Sequence, residues 1–203
     1  MFTVKAIIIS LPKSGTYLCQ NLLGTFGLHK TLIHFGGKVH QQYDSEKYSL
    51  GRTNPELFNI DQSIEDILKN IPNNSVSVTH LKFDDKHDLL FKPFKKILVH
   101  RNLRGRTESF ERFEDRRESW KRRGMCPALV QAAMTKGLYA DGIMQWRGKP
   151  DVFTLHFDDM VGVNTLVLDQ LQQFLFNEIK YDSESCMNKA LAEDSLTKSE
   201  IRK

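Results

Sequence analysis

Residues 4–23 read VKAIIISLPKSGTYLCQNLL, and the fold turns on how that stretch is parsed. An apolar, β-branched run from Val4 stops at Ser10. A helical spacing of Leu18, Leu22, Leu23 and Phe26 begins a few residues later. Between them stands Pro12-Lys13-Ser14-Gly15-Thr16. A strand-to-helix turn needs only the proline and the glycine. In an open parallel sheet, ligands sit beyond the carboxyl ends of the strands. There the free N–H groups and dipole of a helix start can converge on one anion with two hydroxyls and a lysine. The bland alternative is a turn with a Ser or Thr helix cap.

The order of residues narrows the choice of anion. A nucleotide-triphosphate loop requires G-x-x-x-x-G-K-[ST]. Here Ser10 occupies the position of the first glycine, and Thr16 rather than lysine follows Gly15. The lysine lies ahead of the glycine, which argues against an NTPase or kinase loop.

Outward from this turn, SVSVTHL (75–81), KKILVHR (95–101) and DVFTLHF (151–157) read as further strands. Helical patterns fall over 61–71, 103–123, 127–146 and 164–179, with one short helical segment in the polar tail after Asp182. Residues 28–60 show no clear period and read as an irregular excursion. The alternation predicts an α/β protein: a three-layer α/β/α arrangement with a central parallel sheet, as one domain over residues 1–203.

Composition excludes several classes. The 203 residues carry 29 Lys+Arg against 25 Asp+Glu, a net charge of +4, which suits an anionic ligand but not a dedicated nucleic-acid binder. Cys19, Cys126 and Cys186 form neither a disulfide framework nor a zinc pattern, so no metal site is expected. No apolar run is long enough for a membrane span and no leader precedes the first strand, so a cytoplasmic location is expected.

A second cluster follows the third strand. ILVHRNLRGRTESF (97–110) sets Arg101 at a strand end and Ser109 eight residues on, along the next helix. An arginine there offers a planar fork for phosphate oxygens. Together, PKSGT and the Arg101–Asn102…Ser109 spacing resemble the sulfotransferases that use 3′-phosphoadenylyl sulfate (PAPS), closest to the cytosolic, small-molecule type. Leu103 stands where that family has proline, and Gly105 where it usually has aspartate. LHFDDM (155–160) is similar to the family's later strand and acidic turn.

The resemblance implies the P-loop NTPase-like sulfotransferase fold and a role for each cluster. Lys13, Ser14, Gly15 and Thr16 would hold the 5′-phosphosulfate, with Lys13 also catalytic at the bridging oxygen. Arg101 and Ser109 would hold the 3′-phosphate. Tyr17 takes the place of a second threonine among the cofactor contacts. The terminal Arg202 and Lys203 match the start of the family's Arg-Lys-Gly lid.

A base is needed as well, and VSVTHLKF (76–83) places His80 at the end of the second of these strands. An ordinary imidazole suits proton acceptance near neutral pH. The stretch resembles the family's Lys-Thr-His-Leu-Pro, whose histidine is the catalytic base. Val78 replaces the lysine there, and Lys82 is a candidate second cation. His34, His40 or a glutamate are the rivals for the base.

The implied activity is transfer of a sulfuryl group from PAPS to a hydroxyl, or less readily an amine, of a small-molecule or glycan acceptor. No nucleic-acid partner is expected, and the sequence leaves the oligomeric state open. His34, Phe35, Tyr43 and Tyr48 are candidate walls of the acceptor pocket. A nucleotide or small-molecule kinase, or a non-catalytic nucleotide-binding protein of the same fold, is the alternative.

Overall fold

The computed structural model describes residues 3–36, 40–43, 57–115 and 138–193. Seven strands form one sheet: β1 (Lys5–Ser10), β2 (His29–Phe35), β3 (His40–Tyr43), β4 (Leu57–Ile60), β5 (Ser75–Thr79), β6 (Lys95–His100) and β7 (Val152–His156). Eight helices accompany them among the described residues. They are α1 (Thr16–Thr25), α2 (Ile64–Asn70), α3 (Asp85–Leu90), α4 (Leu103–Asp115), α5 (Leu138–Met144), α6 (Phe157–Val161), α7 (Thr165–Phe176) and α8 (Ser183–Glu193).

The strand order is β4-β3-β2-β5-β1-β6-β7. β2, β5, β1, β6 and β7 run parallel, while β3 pairs antiparallel with both β2 and β4 at the edge. β1 reads as an unbroken apolar run because both of its faces are buried. Ala6 and Ile8 pack with Leu18, Leu22 and Leu23 of α1, Leu168 and Leu171 of α7, and Met187 of α8. Ile7 and Ile9 pack on the other face with Ile64, Ile67 and Leu68 of α2, and with Phe91 and Trp146. The result is the expected three-layer α/β/α architecture.

The stretch 28–60 departs from the expectation of an irregular excursion. It contributes β2 in the body of the sheet and the β3–β4 hairpin at its edge. The period was hidden by a bulge: Leu32 has φ 59, and the pairing with β5 shifts register between Lys30 and His34. Thr31 fills the break, its hydroxyl reaching Ser77 Oγ at 2.8 Å while accepting from Ile33 N at 3.2 Å. The tail also carries more structure than expected. α8 runs eleven residues and buries Cys186, Met187 and Ala190 in the core.

The predicted helices over 103–123 and 127–146 are described only in part, as α4 and α5; their remaining residues lie outside the described ones. Among the described residues, no helix is long and apolar enough to cross a membrane.

Candidate active site at the carboxyl ends of β1, β5 and β6

β1 lies between β5 and β6, so three adjacent strands deliver the three sequence clusters to one edge. Ile9 pairs with Thr79 and Ser10 with Val99. Ser10, His80 and Arg101 therefore leave the sheet side by side, where the chain's path turns from one side of β1 to the other.

The loop after β1 is tight. Ser14 N donates to Leu11 O at 3.3 Å, Lys13 has φ 66 and Gly15 has φ 93. A left-handed lysine costs about 1 kcal/mol or more and persists only where its surroundings enforce it. At Gly15 no side chain fits, since a Cβ would stand 2.4 Å from Phe157 Cδ2 and 3.2 Å from Met160 Cε.

No side chain caps the start of α1. Thr16 Oγ1 is 2.6 Å from Ser10 Oγ, and the buried Ser14 Oγ has no hydrogen-bond partner among the described residues. The simple cap reading therefore fails for both hydroxyls. A buried hydroxyl left unmatched costs about 1–3 kcal/mol, and this one lies where the helix dipole and free amides favour an anion.

His80 is tied to the same loop. Its Nδ1 donates to the Ser10 carbonyl at 2.6 Å, with Ser10 Oγ 3.4 Å from the same nitrogen. A carbonyl only accepts, so the proton is on Nδ1 and the basic lone pair on Nε2. Burial lowers the His80 pKa to about 4, helped by the charge of Arg106 and opposed by the backbone hydrogen bonds at Ser10 and Thr79. The ring is neutral at pH 7. His34, re-aimed by the β2 bulge, stands edge-on to it at 4.4 Å between centroids. Burial, then the neighbouring His80, holds His34 well below the usual imidazole range.

At the other end, the Arg101 guanidinium lies 4.0 Å from the centroid of the Phe157 ring. That same ring backs Gly15, so one aromatic side chain braces both clusters. Gly105 makes room for Arg101: a Cβ there would meet Arg101 Nε at 2.6 Å. Asn102 Oδ1 accepts from Gly105 N at 2.8 Å and caps α4. Ser109 is half-buried on α4, two turns beyond Arg101.

Two residues at this edge escaped the sequence reading. Ser10 joins Thr16 to His80, and its only signal was a hydroxyl closing an apolar strand. Arg106 is buried on α4, its Nε donating to Pro12 O at 3.3 Å. Its signal was the spacing of three residues to Ser109, which puts both on neighbouring positions of one helix face.

Other candidates lie elsewhere. The stem of the exposed Lys82 lies against Gly142 of α5. Phe35 is fully buried in the core, with its ring 6.3 Å from that of Phe91, and forms no wall of an open pocket. His40 sits in β3 beside Phe35, 5.6 Å between rings. Tyr17 is half-buried at the start of α1, and Tyr43 ends β3. Tyr48, Arg202 and Lys203 lie outside the described residues. Among the described residues, no three His, Cys, Asp or Glu side chains gather to hold a metal ion.

With its five-stranded parallel core and a loop-to-helix turn after the central strand, the chain has the sulfotransferase fold, as a structural comparison shows. A solved structure similar to it is mouse sulfotransferase SULT7A1 complexed with PAP, with a TM-score of 0.56 and 19% identity. The match covers 98% of this chain and 65% of that one, so this chain spans slightly less than two thirds of its neighbour's length. No known family profile and no curated protein matches the sequence.

Proposed function

We propose that this protein is a sulfotransferase that moves a sulfuryl group from PAPS to a hydroxyl acceptor, with His80 as general base. The start of α1 carries this reading. An uncapped helix N-terminus, a left-handed Lys13 and the partnerless buried Ser14 hydroxyl form a site suited to a phosphosulfate. PAPS supplies an activated sulfuryl group on a bisphosphate leaving group. Lys13, Ser14, Gly15 and Thr16 bind its 5′ end, and Arg101 with Ser109 binds the 3′-phosphate.

His80 accepts the acceptor's proton at Nε2, since Ser10 fixes the proton on Nδ1. Its low basicity keeps it neutral and ready at physiological pH. Lys13 stabilises the charge that develops on the leaving group in a water-poor site. The acceptor, a small molecule or glycan, enters from the His34 side, and the protein works in the cytoplasm.

The test is sulfuryl transfer from PAPS to a panel of phenols and sugars, with His80→Ala alongside. Transfer by the parent and loss in the variant, with bisphosphate binding retained, is the expected result. Near-normal turnover in the variant would remove His80 from the mechanism. Phosphoryl transfer from ATP–magnesium instead would replace the reading with a kinase.

A further inference from the structure

We propose that Arg106 is the second cation of the phosphosulfate site, binding the 5′ end of the donor opposite Lys13 and stabilising the leaving group. This rests on the sulfotransferase reading above and adds a residue to it.

Three observations carry it. Arg106 is only 4% exposed, so its charge is directed into the protein and not into solvent. Its Nε donates to the carbonyl of Pro12, the residue next to Lys13, at 3.3 Å. A guanidinium is planar and rigid, so anchoring Nε under the loop fixes the direction of its other four donors. The charge is also felt at His80, where it opposes protonation. Arg106 thus touches the loop at Pro12 and is near enough to His80 for its charge to act there, so we place it at the 5′ end of the donor. Lys82, the cation that the sequence offered for this place, is exposed and lies along α5.

In the transfer, a bond forms between the acceptor oxygen and sulfur as the bond from sulfur to the bridging oxygen breaks. The acceptor proton passes to His80 Nε2. The electron pair of the broken bond stays on the leaving bisphosphate, which gains one negative charge between Lys13 and Arg106. α4 then serves both ends of the donor, with Arg106 at the 5′ end and Ser109, with the preceding Arg101, at the 3′ end.

The experiment is calorimetric titration of the whole chain with adenosine 3′,5′-bisphosphate and with adenosine 5′-monophosphate, comparing the parent, Arg106→Gln, Arg106→Lys and Arg101→Gln. Arg106→Gln should weaken both nucleotides by about ten- to a hundredfold, as expected for a lost charge-assisted contact. Arg106→Lys should recover part of that loss. Arg101→Gln should weaken the bisphosphate alone. A folded Arg106→Gln that binds both ligands within twofold of the parent would make Arg106 structural and overturn this proposal, leaving the sulfotransferase reading standing. If Arg106→Gln does not fold, Arg106→Met, which keeps a stem without the charge, decides: a deficit of about tenfold or more for both nucleotides supports the proposal, and parent-like binding overturns it. A parent chain that binds neither nucleotide removes the sulfotransferase reading and this proposal with it.

Discussion

Helices α1 and α2 both begin beside a serine, and the two serines are used in opposite ways. At α2, Ser63 Oγ accepts from Asp66 N at 3.1 Å and donates to Asp66 Oδ2 at 2.7 Å, closing the helix start on itself. α3 is closed likewise, with Asp84 Oδ1 accepting from His87 N at 2.7 Å. At α1, Ser14 caps nothing, and Thr16 turns back to Ser10 and through it to His80. A side chain closes the starts of α2 and α3, whereas the start of α1, like that of α7, has no side-chain cap. α1 differs from α7 in carrying a buried, partnerless hydroxyl at the end of the central strand. The difference separates a hydroxyl that caps its own helix from one that is buried without a protein partner, the group that the proposed function assigns to the donor.

The sharpest way to stress this contrast is at the end of the α1 network. His80→Ala should cut sulfuryl transfer by about 10²–10⁴-fold, the usual contribution of a general base. Affinity for adenosine 3′,5′-bisphosphate should stay within a few-fold of the parent. Steady-state kinetics with PAPS and calorimetry on the same sample read the two effects separately. A parallel fall in both would mean that the imidazole supports the loop and does no proton transfer.

Acid should reveal the same network in stability. The folded pKa of His80 is about 4 against an ordinary 6.5, and His34 is also lowered, both first by burial. Between those values the unfolded chain binds the proton that the folded chain refuses. The stabilisation is therefore complete above pH 6.5 and is lost as pH falls toward 4. His80 alone accounts for up to about 3 kcal/mol. Urea titrations across that range should show the decline, and His80→Asn should flatten it. An unchanged slope in the variant would assign the loss to other groups.

The paired serines come next in size. Ser63→Ala should lower stability by about 1 kcal/mol and leave nucleotide affinity alone. Ser14→Ala should leave stability unchanged or raise it by about 1 kcal/mol, since it removes a buried hydroxyl with no partner, yet weaken nucleotide binding by about 1 kcal/mol or more. Equal stability losses in the two variants, by thermal melting, would erase the distinction between the helix starts. The smallest effect is set aside for the exposed pair Arg104–Glu108, 2.9 Å apart on α4. Glu108→Ala should change stability by only a few tenths of a kcal/mol, because such pairs are screened by water.

Much of the scaffold was legible for a physical reason. β1 and β6 are inner strands of the parallel sheet, and burial on both faces concentrates their apolar residues into runs. β5 and the edge strand β7 were legible by their β-branched and aromatic residues. β2 was not legible, because Leu32 and the register shift break its alternation where a core strand should be most regular. α8 was undervalued, since its buried Cys186, Met187 and Ala190 are scattered among polar residues. In the candidate site, the loop after β1 and Arg101 stood out as short patterns at strand ends. Ser10 and Arg106 carry only weak local signals, a hydroxyl closing a strand and a three-residue spacing to Ser109, and the double use of Phe157 carries none. Their positions follow only from strand order, which puts β5 and β6 on either side of β1.

The central claim is that the start of α1 is kept open for the 5′ end of PAPS. Calorimetric titration of the parent chain with adenosine 3′,5′-bisphosphate in magnesium-free buffer, repeated on Ser14→Ala, tests it most directly. Saturable one-to-one binding that weakens by about tenfold in the variant is the predicted result. Absence of binding, or binding that Ser14→Ala leaves untouched, would contradict it.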